Sequence, residues 1–240
     1  MSARHSRTTY AIVVLAALAI LALALLSDKV ELKDIGTGLL AMLGTLLGAT
    51  LAFRLNEDKE HAKEHARRRA ALNRALFTLA RQKNAVALIA RELAPYQTDF
   101  DRAFNFPAAK VPPYADLVQR IDDLEFLVEV SDVNVLLKLT VEEERFHQLL
   151  ESLRVRNEFY VRELQPEISR HKLNGRSVSS EQALGLLGDR LLGSALNYAK
   201  ILWSHAASSE ASLPERIAEL RGVAKQLYPG HKFIGLSGGT

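Results

Sequence analysis

Two apolar runs stand near the start of the chain, Tyr10–Leu26 and Ile35–Phe53, and neither holds a charged residue. The stretch between them, Ser27–Asp34, carries Asp28, Lys29, Glu31, Lys33 and Asp34 and is too polar to continue an apolar helix. At 1.5 Å per residue the runs reach about 25 and 28 Å, near the thickness of a bilayer's hydrocarbon core. The pattern predicts a two-helix transmembrane hairpin over 10–53, with spans at 10–26 and 35–53.

Beyond Phe53 the pattern changes twice. Residues 54–71 are polar all round, as in a solvated helical stalk. From Leu72 the apolar positions Leu72, Leu76, Leu79, Val86, Ala90 and Leu93 keep the 4-3 spacing of a packed helix face, with Lys83 at the remaining seam position. Arg67, Arg68 and Arg69 are expected on a solvated face, too far along the stalk to feel lipid charge. Pro95–Pro113 is the one long irregular stretch, and its aromatics Tyr96, Phe100, Phe104 and Phe106 are expected to pin it to the bundle.

Helical spacing returns over Tyr114–Val130. After Ser131-Asp132 a longer helix is expected to about Leu164, where Pro166 ends it. Its seam reads Leu136, Leu139, Glu143, Phe146, Leu150, Leu153, Asn157, Tyr160 and Leu164. Asn174-Gly175 marks a turn, and Ser179 with Gln182 resembles a capping box opening a helix to about Ala207. A second such box, Ser212 with Glu215, predicts a last short helix stopping at Pro229-Gly230. The fold class is therefore all-α: hairpin, stalk at 54–71, an antiparallel helical bundle over 72–230, and a flexible tail at 231–240.

Charge sets the orientation. Arg4 and Arg7 precede the first run, and Arg54, Lys59, Lys63 and Arg67–Arg69 follow the second, against Lys29 and Lys33 in the turn. Basic residues favour the cytoplasmic side, which places residues 1–9 and the bundle in the cytoplasm, with the chain multi-pass in an inner membrane. A cleaved secretory leader is the competing reading of the first run. That run is long for a leader, and Ala22-Leu23-Ala24 is followed by Leu25 and Leu26 rather than a polar start.

The net charge is only +3 over 240 residues, which argues against a nucleic-acid surface. Without cysteine there is no disulfide framework, thiolate nucleophile or cysteine zinc site.

Candidate chemistry is sparse. Gly44, Gly48 and Ala52 fall at i, i+4 and i+8, beside Thr45 and Ala49, a spacing that lets helix backbones approach closely. Their partner is the first span of the same chain, a second copy, or both. No ionisable residue lies inside either run, so a proton relay has no candidate. His61 and His65 stand at i, i+4 on the stalk, and Glu144 with His147 makes one E-x-x-H. A di-iron bundle needs two such motifs and two further carboxylates, so no metal or cofactor is expected.

Lys83, Glu143 and Asn157 interrupt otherwise apolar seams. Either Lys83 and Glu143 meet in the bundle and fix its register, or each reaches water at a rim. No nucleophile elbow, phosphate loop or dinucleotide motif is present, and the chain is not expected to be an enzyme. The expected function is a membrane-anchored, self-associating scaffold that presents a cytoplasmic bundle to a protein partner. The alternative is a pore-forming effector whose glycine-rich second span oligomerises under control of the bundle.

Overall fold

A computed structural model describes Ala22 and residues 32–109, 111, 114, 117–130, 133–173 and 178–235. Helices account for the regular structure, and no strand occurs among the described residues. The chain divides into two units, residues 1–65 and 66–240, each described by itself. In order, the helices are α1 (Leu32–Leu93), α2 (Asp99–Phe104), α3 (Leu127–Val130), α4 (Val133–Phe159), α5 (Gln165–Arg170) and α6 (Ser180–Leu227).

The inner-membrane placement and the transmembrane hairpin are corrected by the structure. Among the described residues no helix is long and apolar enough to cross a membrane. The first apolar run, apart from Ala22, lies outside the described residues. In the second, the side chains described without a gap run from Ala41 to Phe53, about 20 Å of helix against a core of about 30 Å. The helix then continues through Arg54, Asn56, Glu57 and Asp58.

In the first unit Met42, Leu43, Leu47, Leu51, Phe53 and Leu55 are all exposed. A Cβ added at Gly44 or Gly48 would meet no atom within 4 Å. Thr45 and Thr50 return their hydroxyls to the carbonyls of Ala41 and Leu46, which satisfies both within the helix. Every side chain from Leu51 to His65 is exposed. Glu57–His61 and Glu60–Lys63 lie at helical spacing on this polar stretch, a modest support for a helix without a packed face.

In the second unit α1 buries Leu72, Leu76, Leu79, Val86, Ala90 and Leu93, as their spacing predicts. They pack with Leu139, Phe146, Leu149 and Leu153 of α4 and with Leu202, Leu213, Ile217 and Leu220 of α6. Three cross-links fix the direction of α4 against α6: Lys138 with Glu219, Glu142 with Ser212, and Ser152 with His205. As one number rises the other falls, so the two helices are antiparallel. A smaller cluster joins Phe159, Leu164 and Ile168 to Leu191, Ala195 and Ala199.

Arg68 and Arg69 are half-buried rather than solvated, with guanidinium carbons 5.1 Å from the Phe126 ring and 5.8 Å from the Tyr228 ring. The helix expected over Tyr114–Val130 is reduced to a 3₁₀ turn at Ile121–Leu124 and the single turn of α3. Leu117, Leu124 and Leu127 are nevertheless buried, so their spacing reports burial rather than helix. The Gln119 N–H bonds to the Glu143 carboxylate, which takes it out of any local helical ladder.

Pro166 does not end the long helix. A π-helical turn at Tyr160–Leu164 leads into α5, with Gln165 N–H bonding to the Tyr160 carbonyl, five residues back. Proline has no N–H for the carbonyl four residues earlier, and the wider turn lets the helix direction persist past it.

The Ser179–Gln182 capping box is formed at the start of α6, with both reciprocal bonds present. The second expected box is not. Ser212 donates instead to the Glu142 carboxylate, and Pro214 lies within α6 on an exposed position. The helical conformation is interrupted earlier, at Gly188 (φ 74°, ψ 163°), a backbone region closed to residues with a Cβ. The expected Asn174-Gly175 turn and half of the tail, 236–240, lie outside the described residues.

Candidate functional site

Three clusters of buried polar groups lie along α4. The first centres on Glu143, whose side chain is 12% exposed. Its carboxylate accepts from Gln82 Nε2 (2.7 Å) and from the Gln119 N–H (3.2 Å), and lies 2.9 Å from His147 Nε2. Gln82 Nε2 also donates to the Leu117 carbonyl (3.0 Å), and Gln119 Nε2 to the Ala75 carbonyl (3.2 Å). The cluster ties α1, α4 and the irregular 117–120 segment together. Its member on α1 is Gln82, fully buried, beside the half-buried Lys83.

The second cluster is the neighbouring Glu142, buried at 1% exposure. It accepts from Ser212 Oγ (2.8 Å) and has Arg145 at 3.7 Å. Burial raises its pKa above the ordinary carboxylate value, partly opposed by the Ser212 hydrogen bond and the charges of Arg145 and Arg216. A raised folded-state pKa gives stability that is present at low pH and lost as pH rises through that value. Glu142→Gln therefore raises neutral-pH stability, read as a higher Tm. It also removes the gain the wild type shows on acidification. Thermal melts of both proteins across the acid range check this, and an unchanged pH profile counts against it.

Arg156 makes the third cluster and organises the aromatic loop. It is buried, and Nη2 donates to the carbonyls of Arg102 (3.0 Å), Ala103 (3.3 Å) and Phe106, while Nη1 donates to that of Pro107 (3.1 Å). Its guanidinium faces the rings of Phe106 at 4.8 Å and Tyr160 at 4.7 Å. Asn157 Nδ2 adds a bond to the Ala109 carbonyl (2.5 Å). Phe106 is itself buried and meets Tyr96 edge-on, while Phe100 stacks on Phe104. Burial pulls the Arg156 pKa down to about 10, so the cation stays charged at neutral pH.

Other sequence candidates stay apart. Gly44, Thr45, Gly48, Ala49 and Ala52 are exposed on the first unit. His61 lies 3.9 Å from Glu57, and His147 pairs with Glu143 rather than with Glu144, which is exposed. Among the described residues no three His, Asp or Glu side chains cluster as metal ligands would.

Two features were not anticipated. Ser152 Oγ stands 2.8 Å from His205 Nδ1, and it also donates to its own helix at the Gln148 carbonyl (2.7 Å). With that proton committed, the hydroxyl accepts from the imidazole, and the pair links α4 to α6 rather than activating a nucleophile. The second is a groove of about 640 Å³ along α1, lined by Arg81, Asn84, Leu88 and Arg91 with Tyr114 and Leu117 opposite. No protein-family model, curated protein or solved structure matches this chain.

Proposed function

We propose that the chain is a helical scaffold that self-associates through its first unit and offers the bundle to a protein partner. The observation that supports this reading is the apolar surface between Met42 and Leu55. Six large apolar side chains there are exposed, from Met42 at 44% to Phe53 at 80%. Contiguous apolar surface of this kind marks an interaction site. Open space over Gly44 and Gly48 gives a second copy's backbone room to approach. The polar clusters at Glu143, Glu142 and Arg156 join separate elements of the bundle.

Light scattering of the full chain tests the reading. A defined oligomer is expected, and the double substitution Leu47→Glu with Leu51→Glu shifts it to monomer while the bundle's melting transition is kept. A wild-type chain that stays monomeric at every concentration overturns the proposal. Flotation with phospholipid vesicles in place of a defined oligomer overturns it equally.

A further inference from the structure

We infer that Glu57 and His61 of one chain, together with the same two residues of a second copy, form a site for a divalent, zinc-class cation. The inference rests on the self-association reading and adds an ion that tightens the assembly.

Position along α1 carries the first part. Leu43, Leu47, Thr50, Arg54, Glu57 and His61 follow in steps of four and three, the seam along which two helices wind about each other. The seam begins on the exposed leucines of the apolar stretch and runs into the polar one, where every side chain from Leu51 to His65 is exposed. Two helices paired in parallel set each seam residue beside its counterpart. Leu47 then meets Leu47, and about 21 Å further along the helix His61 meets His61. Glu57 faces its own copy one seam step earlier. Carboxylates brought that close repel, and a cation between them reverses the sign.

Ligand chemistry carries the second part. Glu57 Oε1 and His61 Nε2 stand 3.9 Å apart, and their side chains are 62% and 70% exposed. Two ligands of a tetrahedral zinc ion, each bound at about 2.0–2.1 Å, lie about 3.4 Å apart. Side-chain rotation of about half an ångström closes that difference, and exposed side chains have the freedom for it. One chain supplies two of the four ligands such an ion takes, and the second copy supplies the others. Imidazole nitrogen combined with carboxylate oxygen suits zinc and its neighbours better than calcium or magnesium. Two more Glu–His pairs share this spacing, and both carboxylates are engaged. Gln82 and the Gln119 N–H bind Glu143 beside His147, and Arg170 binds Glu167 beside His171.

The untagged full chain, stripped with a chelator and dialysed against zinc chloride, tests the site. Elemental analysis should find about one zinc ion per two chains. Light scattering on dilution should show the oligomer dissociating at about tenfold lower protein concentration once free zinc reaches about ten times its half-saturating level. His61→Ala should remove the bound zinc and the zinc-dependent shift together, and Glu57→Gln should weaken both. Glu167→Gln should change neither. An assembled chain that takes up no zinc, or that takes it up equally well as His61→Ala, overturns the inference and leaves self-association standing. Zinc bound to every chain without any shift in assembly overturns it as well. A chain that is monomeric with and without zinc overturns the self-association reading, and this site with it.

Discussion

Replacing Arg156 with methionine is expected to destabilise the second unit by about 3 kcal/mol, or roughly 6–12 °C in Tm. Two effects oppose each other. The substitution removes a buried cation whose hydrogen-bond acceptors are uncharged carbonyl and amide oxygens, which relieves a desolvation cost. It also strips the carbonyls of Arg102, Ala103, Phe106 and Pro107 of a shared donor, and removes the cation from the rings of Phe106 and Tyr160. Several bonds to a charged donor outweigh one relieved penalty, because each orphaned buried carbonyl costs its own desolvation.

The loop between Arg102 and Ala109 is where the loss appears. Proteolysis there should accelerate in Arg156→Met, while core substitutions elsewhere in α4 leave local cleavage tied to global unfolding. Lysine should restore little, since a single ammonium cannot copy the fork that reaches four carbonyls. The sign of the pH effect follows from the depressed pKa near 10. A depressed value gives stability that is lost as pH falls through it, so below about 10 that loss is complete and constant. The difference between wild type and Arg156→Met should be flat over roughly pH 5–9. A variant that melts with the wild type, loop uncleaved, shows that the aromatic contacts suffice without the cation.

The α4 seam shows where sequence reading stops. Leu139, Phe146 and Leu153 are legible and buried. Between them the sequence offers adjacent pairs that hydropathy cannot separate: Glu142 or Glu143, Leu149 or Leu150, Arg156 or Asn157. The more buried member is the earlier one each time, so the helix centres Glu142, Leu149 and Arg156 on the core. Glu143 and Asn157 flank that centre, where they still reach partners on other segments. A buried arginine bound mainly by backbone carbonyls leaves no charge-pair signature in sequence. Only its position four residues before Tyr160 and its place on the helix facing the aromatic loop hint at it. On α1 the apolar spacing was readable, but the fully buried Gln82 lies one residue from the seam position at Lys83. An amide among leucines announces burial only once its acceptor, here on α4, is in place.

The apolar start of the chain is the reverse case. Its hydrophobicity is plain, and a bilayer is one of several environments that would bury it. Capping boxes show the same divergence on a smaller scale. Ser179 and Ser212 stand in matching local patterns, yet only Ser179 caps a helix, because a buried carboxylate across the bundle competes for the Ser212 hydroxyl. Local pattern specifies what a residue can do, and the nearest tertiary partner decides which option is taken.

Glu143→Leu carries the second large effect, a loss of about 2–3 kcal/mol or roughly 4–12 °C in Tm. Leucine fills similar volume but cannot accept a hydrogen bond. The Gln119 N–H and one bond of Gln82 Nε2 would be left without their acceptor in a site the bundle has already dried. Replacing an isolated buried charge with an apolar residue is often neutral; here the carboxylate's partners stay behind, and that decides the sign. Glu143→Gln keeps one acceptor oxygen and should recover about half of the loss. Gln82→Leu combined with Glu143→Leu should cost less than the two single changes summed, since each removes the other's orphan. A double-mutant cycle by denaturant unfolding measures this directly. If Glu143→Leu instead raises Tm with the oligomer unchanged, the Glu143 cluster contributes neither stability nor specificity, and the apolar residues around it alone hold α1 to α4.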